Sequence, residues 1–210
     1  AISVGAFAQD KPVEEMRYIF GGGEYRVSGF GAAIFEFSAY NGDFAFYSGG
    51  GGAVIFNNAF YIGGFGMGLA ENQKFETVYN ANGTVAEDNL SLSFGYGGLW
   101  LGYIFRPNAP VHFGISSKFG GGAATLYYSE FEYSDYDYYM DYIGVVSPQI
   151  EVEMNLARWF KINFGVGYKF IMGVSDKEYI YDNQGNTKPY FDTNDFNAPY
   201  ANVSLLFGGF

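Results

Sequence analysis

"WFKINFGVGYKFIM", residues 159–172, alternates with a period of two. From Phe160 every second residue is apolar and mostly large: Phe160, Ile162, Phe164, Val166, Tyr168, Phe170 and Met172. Between them stand Lys161, Asn163, Gly165, Gly167, Lys169 and Ile171. Such a period belongs to a strand with two unlike faces. In a soluble lipid-binding barrel the large face would point inward and the lysine and glycine face would meet water. Bare glycines weaken an exposed strand, which argues against that choice. In a membrane barrel the large face meets hydrocarbon, and small or polar residues fill a narrow interior. The stretch is therefore read as one wall of a barrel whose solvent is lipid.

The pattern recurs along the chain. Residues 142–157 place Val146, Pro148, Ile150, Val152, Met154 and Leu156 on one face, against Ser147, Gln149, Glu151, Glu153 and Asn155. Residues 111–119 split into Val111, Phe113, Ile115 and Phe119 against His112, Gly114, Ser116 and Lys118. Further strands are predicted at about 26–39, 44–56, 60–70, 90–105 and 196–210. That gives eight strands and no helix. From Asn57–Ala59 onward, short and long connections alternate: Glu71–Asn89, Ser129–Asp141 and Ser175–Asp195 are long, while Pro107–Pro110 and Ala157–Trp159 are tight. In an antiparallel meander, alternate connections share one end. The predicted fold is an all-β, eight-stranded antiparallel up-and-down transmembrane β-barrel, 26–210, because only closure satisfies every backbone hydrogen bond in lipid.

Composition agrees with this. Aromatic residues make up 21% and charged residues only 16%, and cysteine is absent. Apolar residues are abundant but dispersed, with no run of the roughly 18 needed for a spanning helix. The three long loops hold 14 of the 22 acidic residues. "AISVGAFAQD" carries an A-x-A pattern at Ala6-Phe7-Ala8, so residues 1–8 read as a signal-peptide remnant or an N-terminal arm. Residues 9–25 are expected to form a periplasmic segment, and the long loops are expected to lie outside the cell.

The closing "NVSLLFGGF", ending on Phe210, resembles the assembly signal of bacterial outer-membrane barrels. "GGGGAVIFNNAFYIGGFGMGL" (49–69), "YGGLWLGYIFRPNAPVHFGI" (96–115) and "NLARWFKINFGVGYKFIMGV" (155–174) resemble uncharacterised small outer-membrane barrels of the Bacteroidetes type. The resemblance implies an eight-stranded barrel in the bacterial outer membrane, surrounded by lipopolysaccharide and phospholipid.

Three possible sites follow from the residues. Lys118, Glu151, Glu153, Lys161 and Lys169 fall on inward faces, and because unpaired charge in so narrow an interior is costly they are expected to form a lumen charge network. The loop "SEFEYSDYDYYMDY" (129–142) interleaves carboxylates with tyrosines, which supply rigid amphipathic contact area. Tyr136, Tyr138 and Tyr139 are its candidate interaction residues, and Asp135, Asp137 and Asp141 its candidate calcium ligands. The one histidine, His112, lies near a tight turn and about 13 Å along its strand from Ser116, too far for a nucleophile and base. The chain is therefore expected to be non-catalytic, with no cofactor and no nucleic-acid partner. Its expected role is as a structural or accessory subunit of an outer-membrane assembly with other outer-membrane proteins, or as a surface interaction protein. A lipid-modifying enzyme and a small solute conduit are the alternatives.

Overall fold

The computed structural model describes residues 26–71, 73–128, 137–175 and 179–210, with residues 137 and 138 as backbone only. Its strands are β1 (Val27–Tyr40), β2 (Asp43–Phe56), β3 (Phe60–Leu69), β4 (Gln73–Lys74), β5 (Val78–Tyr79), β6 (Val85–Glu87), β7 (Leu90–Phe105), β8 (Val111–Tyr128), β9 (Asp137–Ala157), β10 (Phe160–Met172), β11 (Tyr179–Tyr181), β12 (Thr187–Pro189) and β13 (Ala198–Gly209). One short helix, α1 (Thr193–Phe196), precedes β13.

The eight long strands run in the order β3-β2-β1-β13-β10-β9-β8-β7, and β3 pairs with β7 to close the ring. All these pairings are antiparallel. Closure leaves no edge strand in the wall, the condition for crossing a bilayer. The opening stretch lies as its alternation implies. Phe164, Val166, Tyr168, Phe170 and Met172 are exposed on the outer wall, while Lys161, Asn163 and Lys169 are buried. Inward glycines supply room for large lumen side chains. A Cβ on Gly102 would fall 2.2 Å from the Tyr61 ring, and one on Gly167 would fall 2.6 Å from the Tyr200 hydroxyl.

Turn chemistry sets the ends. Asn41 and Gly42 both adopt positive φ, at 49° and 84°, between the paired residues Tyr40 and Asp43. Asn-Gly is the pair best suited to that two-residue hairpin. At the opposite end Asn57 and Asn58 take φ of 53° and 58°. Asparagine tolerates this left-handed region because its short amide bonds locally.

The structure departs from expectation at the long-loop end. β8 runs to Tyr128, where the expected loop begins, but β9 starts at Asp137, inside that loop, pairing Leu126 with Tyr139 and Tyr127 with Asp137. The loops after β3 and β10 are not plain solvated segments. They form a second sheet, β12-β11-β5-β6, above the barrel. They also contain α1, where no helix was expected. Asp192 caps it, accepting from Asn194 N at 2.8 Å, while Asp195 accepts from Asp192 N at 2.9 Å. This reciprocal bonding satisfies donors that a helix start leaves open.

Candidate functional site

Two regions concentrate chemistry: the bore of the barrel and the cap over its long-loop end. The bore is built from inward positions in fixed register. On β8 and β9, His112 stands opposite Glu153 and Gly114 opposite Glu151. On β9 and β10, Gly165 stands opposite Glu151. Glu151 is thus flanked by two glycines, which clear space for its carboxylate and the groups that reach it.

The charges form layers along the axis. Nearest the short turns, Glu153 Oε1 receives Lys161 Nζ at 2.7 Å and faces His112 Nε2 at 2.9 Å, while His112 Nδ1 bonds the Ala109 carbonyl at 3.0 Å. Above it, Glu151 accepts from Ser116 at 2.6 Å, Asn163 at 3.1 Å and Tyr61 at 3.4 Å, with Gln149 also donating. Gln149 in turn accepts from Tyr200 at 3.0 Å and Asn202 at 2.5 Å. Higher still, Lys169 Nζ lies 2.7 Å from Glu36 Oε1, and Tyr96 donates to the same oxygen at 3.3 Å. Lys169 also sits 3.6 Å from the Tyr47 ring centre.

All five expected lumen residues are buried in the bore, but they do not form one ladder. Among the described residues Glu151 is held by neutral donors and forms no ion pair with a lysine. Lys118 Nζ has no hydrogen-bond partner among the described residues and lies 5.6 Å from the Trp100 ring and 5.9 Å from those of Phe65 and Tyr200. Glu36, absent from the expected set, is the partner of Lys169. Its signal is "FEF" at 35–37, one acid inward between two outward phenylalanines. The bore carries three carboxylates and three lysines, with Trp100, Tyr47, Lys118 and Lys169 each fully buried across it.

His112 has both ring nitrogens engaged, and the Ser116 hydroxyl donates to Glu151 while receiving from Trp100 at 3.3 Å and Gln149 at 2.9 Å. Among the described residues no histidine–serine pair of the kind a nucleophile needs is assembled.

The cap has its own apolar centre. Phe75, Val78, Ile180, Phe191 and Phe196 are buried there and continue into Tyr40, Leu90, Leu92, Phe94 and Leu126 of the barrel mouth. Lys188 pairs with Glu76, tying the two loops together. Asn41 N donates to the Asp195 carbonyl at 2.7 Å, tying the β1–β2 turn to α1. Asp182 closes the β11–β12 turn by accepting from Gln184 N and Asn186 N, both at 2.8 Å, and from the Asn186 amide at 3.0 Å. These bonds, the Asn186 amide first, hold its carboxyl below the ordinary value. Burial lifts the Asp195 carboxyl above its ordinary value, with the nearby Asp192 and Glu76 charges adding to the effect.

The tyrosine-rich loop needs correction. Tyr139 is partly buried, stacks on Tyr190 at 4.4 Å and meets the Phe191 ring at a tilt, 5.7 Å away. Its ring packs on the cap, because β9 extends far enough to bring it over the mouth. Tyr136, the Tyr138 side chain, Asp135 and the Asp137 side chain lie outside the described residues. Asp141 is buried and its carboxylate accepts from Ser175 N at 2.5 Å, a structural bond between β9 and the end of β10. No cluster of three metal-ligating residues occurs among the described residues.

A closed ring of eight strands, apolar outside and charged within, has one stable solvent. The chain is an outer-membrane β-barrel. No protein-family model and no curated protein sequence matches it. Solved structures resemble it at low identity. Neisserial surface protein A is 10% identical, with 90% of this chain and 100% of that chain covered and a TM-score of 0.49. The attachment invasion locus protein of Yersinia pestis is 12% identical, with 87% and 97% covered and a TM-score of 0.46. A major outer membrane protein from Thermus thermophilus is 11% identical, with 86% and 98% covered and a TM-score of 0.48. Strand closure and the apolar wall, not these likenesses, carry the assignment.

Proposed function

We propose that this barrel is a non-catalytic platform whose working surface is the folded cap at the long-loop end, facing outside the cell. The observation that carries the reading is the cap itself, a second sheet with its own buried aromatic centre, seated over a bore filled by side chains. A barrel that only sealed itself would need no such structure. The cap presents Tyr179 and Val85 to solvent amid an excess of acidic groups, which suits a basic or cation-bridged protein partner. Glycine-rich strand motifs support placement among small outer-membrane barrels of the Bacteroidetes type, in contact with lipopolysaccharide and phospholipid.

A second reading, an accessory subunit of a membrane assembly, is favoured by one feature of the wall. A groove of about 800 Å³ is lined by Leu101, Tyr103, Ile115, Phe119, Ile150 and Tyr168 on the lipid-facing side. Another spanning protein could fill it. Photo-crosslinking residues placed at Tyr179 and Val85 on the cap, and at Ile150 in the groove, separate the two in living cells. Adducts from the cap support the first reading. Adducts from Ile150 alone replace it with the second, and adducts from neither remove both.

A further inference from the structure

At the short-turn end, opposite the cap, the bore opens into a cavity of about 300 Å³ lined by residues that include Arg26, Arg158, Lys161, Ser28, Asn58 and Asn155. Among the described residues none that lines it is acidic, and Arg26, Arg158 and Lys161 bring three bases to one cavity in a chain with 22 acidic and 11 basic residues.

Lys161 has a partner, Glu153, but that partner is shared. His112 faces the Ala109 carbonyl with one nitrogen and Glu153 with the other. Glu153 is therefore shared between Lys161 and His112, and with Arg26 and Arg158 the cavity gathers three basic groups around that one carboxylate. Arg26 spends one N–H on the Phe210 main-chain oxygen at 3.1 Å and is itself exposed. Arg158 is exposed.

Hydrogen-bonding capacity is unused at the same place. Ser28 Oγ, Asn58 Oδ1 and Asn155 Oδ1 are buried and have no hydrogen-bond partner among the described residues. A buried polar atom without a partner costs free energy that a ligand can recover. The hydroxyl can donate to an oxyanion, while the two amide oxygens can accept from its P–OH or from the hydroxyls of an attached alcohol.

We propose that this cavity binds a phosphate group. Guanidinium forks match phosphate oxygens, and a lysine adds a point charge, so two arginines and a lysine around a small polar cavity suit a compact, multiply charged oxyanion. The cavity opens at the rim of the wall beside Leu156 and Ala157, so the phosphate can belong to a free ester or to a lipid headgroup. The site is separate from the cap and stands whether or not the cap binds a partner.

The test uses the full chain folded in detergent micelles and in nanodiscs. Calorimetry and phosphorus NMR line broadening measure binding of inorganic phosphate and glycerol phosphate in micelles. Native mass spectrometry measures retention of phosphatidylglycerol against phosphatidylcholine from nanodiscs. Saturable binding of either kind is expected, weakening with added salt. Arg26→Gln and Arg158→Gln should each lower affinity about tenfold or more, as removal of a charge-assisted bond does. Lys188→Gln, at the cap, should leave it unchanged. Both arginines stand outside the buried bore, and folding of each variant is checked by strand circular dichroism. Binding of the soluble probes assigns a free ester, and retention of the anionic lipid alone assigns a headgroup. If neither is seen, or if Arg26→Gln and Arg158→Gln bind as the parent does, the proposal is wrong.

Discussion

The Glu36–Lys169 pair offers the sharpest test of how the bore is held together. Its atoms lie 2.7 Å apart with side chains 0% and 1% exposed. At an effective dielectric of about 20, two unit charges at that distance attract by about 6 kcal/mol. Desolvation of both ions consumes several kcal/mol each, so the net worth of the pair is small. Breaking it is another matter. Lys169→Met leaves the Glu36 carboxylate with only the Tyr96 hydroxyl as donor, and Glu36→Gln leaves the Lys169 ammonium against the Tyr47 and Tyr96 rings. Each single substitution should cost about 3–5 kcal/mol, the usual result of stranding a buried charge. The double variant removes both charges and keeps an acceptor for Tyr96, so it should cost less than about 2 kcal/mol. Urea unfolding from lipid vesicles, followed by fluorescence of Trp100 and Trp159, measures all four corners of the cycle. Single costs under about 1 kcal/mol, or a double cost equal to the sum of the singles, would refute the reasoning.

Three further outcomes are expected. Lys118→Met should cost clearly less than Lys169→Met in the same assay, because Lys118 has no hydrogen-bond partner among the described residues to strand; equal costs would mean that it carries a pairing role. Phe164→Arg and Val166→Arg place a charge on the lipid face and should each cost about 2–4 kcal/mol, which unchanged folding into vesicles would contradict. Asp182 has a depressed folded-state value, so its support of the β11–β12 turn is present above the unfolded value near 3.9 and is lost as pH falls through the lower folded value. Amide exchange of Gln184 and Asn186 should accelerate in that acid range and should already be fast at neutral pH in Asp182→Ala. An acid-insensitive turn would remove that carboxylate from its role.

The barrel wall was legible because lipid outside and crowding inside impose opposite demands on alternate residues. "FKINFGVGYKF" states both at once. The upper half of β8, "GGGAATLYY" at 120–128, states neither, since its glycines and alanines suit both faces, and there only the loop from Ser129 marks the strand's end. The bore was legible in position but not in pairing. Inward facing follows from period two, whereas the Glu36–Lys169 contact joins strands on either side of β13 and depends on ring closure. The cap was missed because its apolar residues, Phe75, Ile180, Phe191 and Phe196, are scattered through loops rich in aspartate, asparagine and glycine. Isolated aromatics in such loops were the available signal. They pack together only when two loops far apart in sequence meet over the barrel mouth.

A platform that carries a cap without passing solute must have a filled bore. Planar-bilayer recording from pure, folded protein tests this most directly. The layered contacts of Glu153, Glu151 and Glu36 with their partners predict no steady single-channel conductance. Reproducible unitary steps from the folded chain would contradict it and would make the bore a conduit.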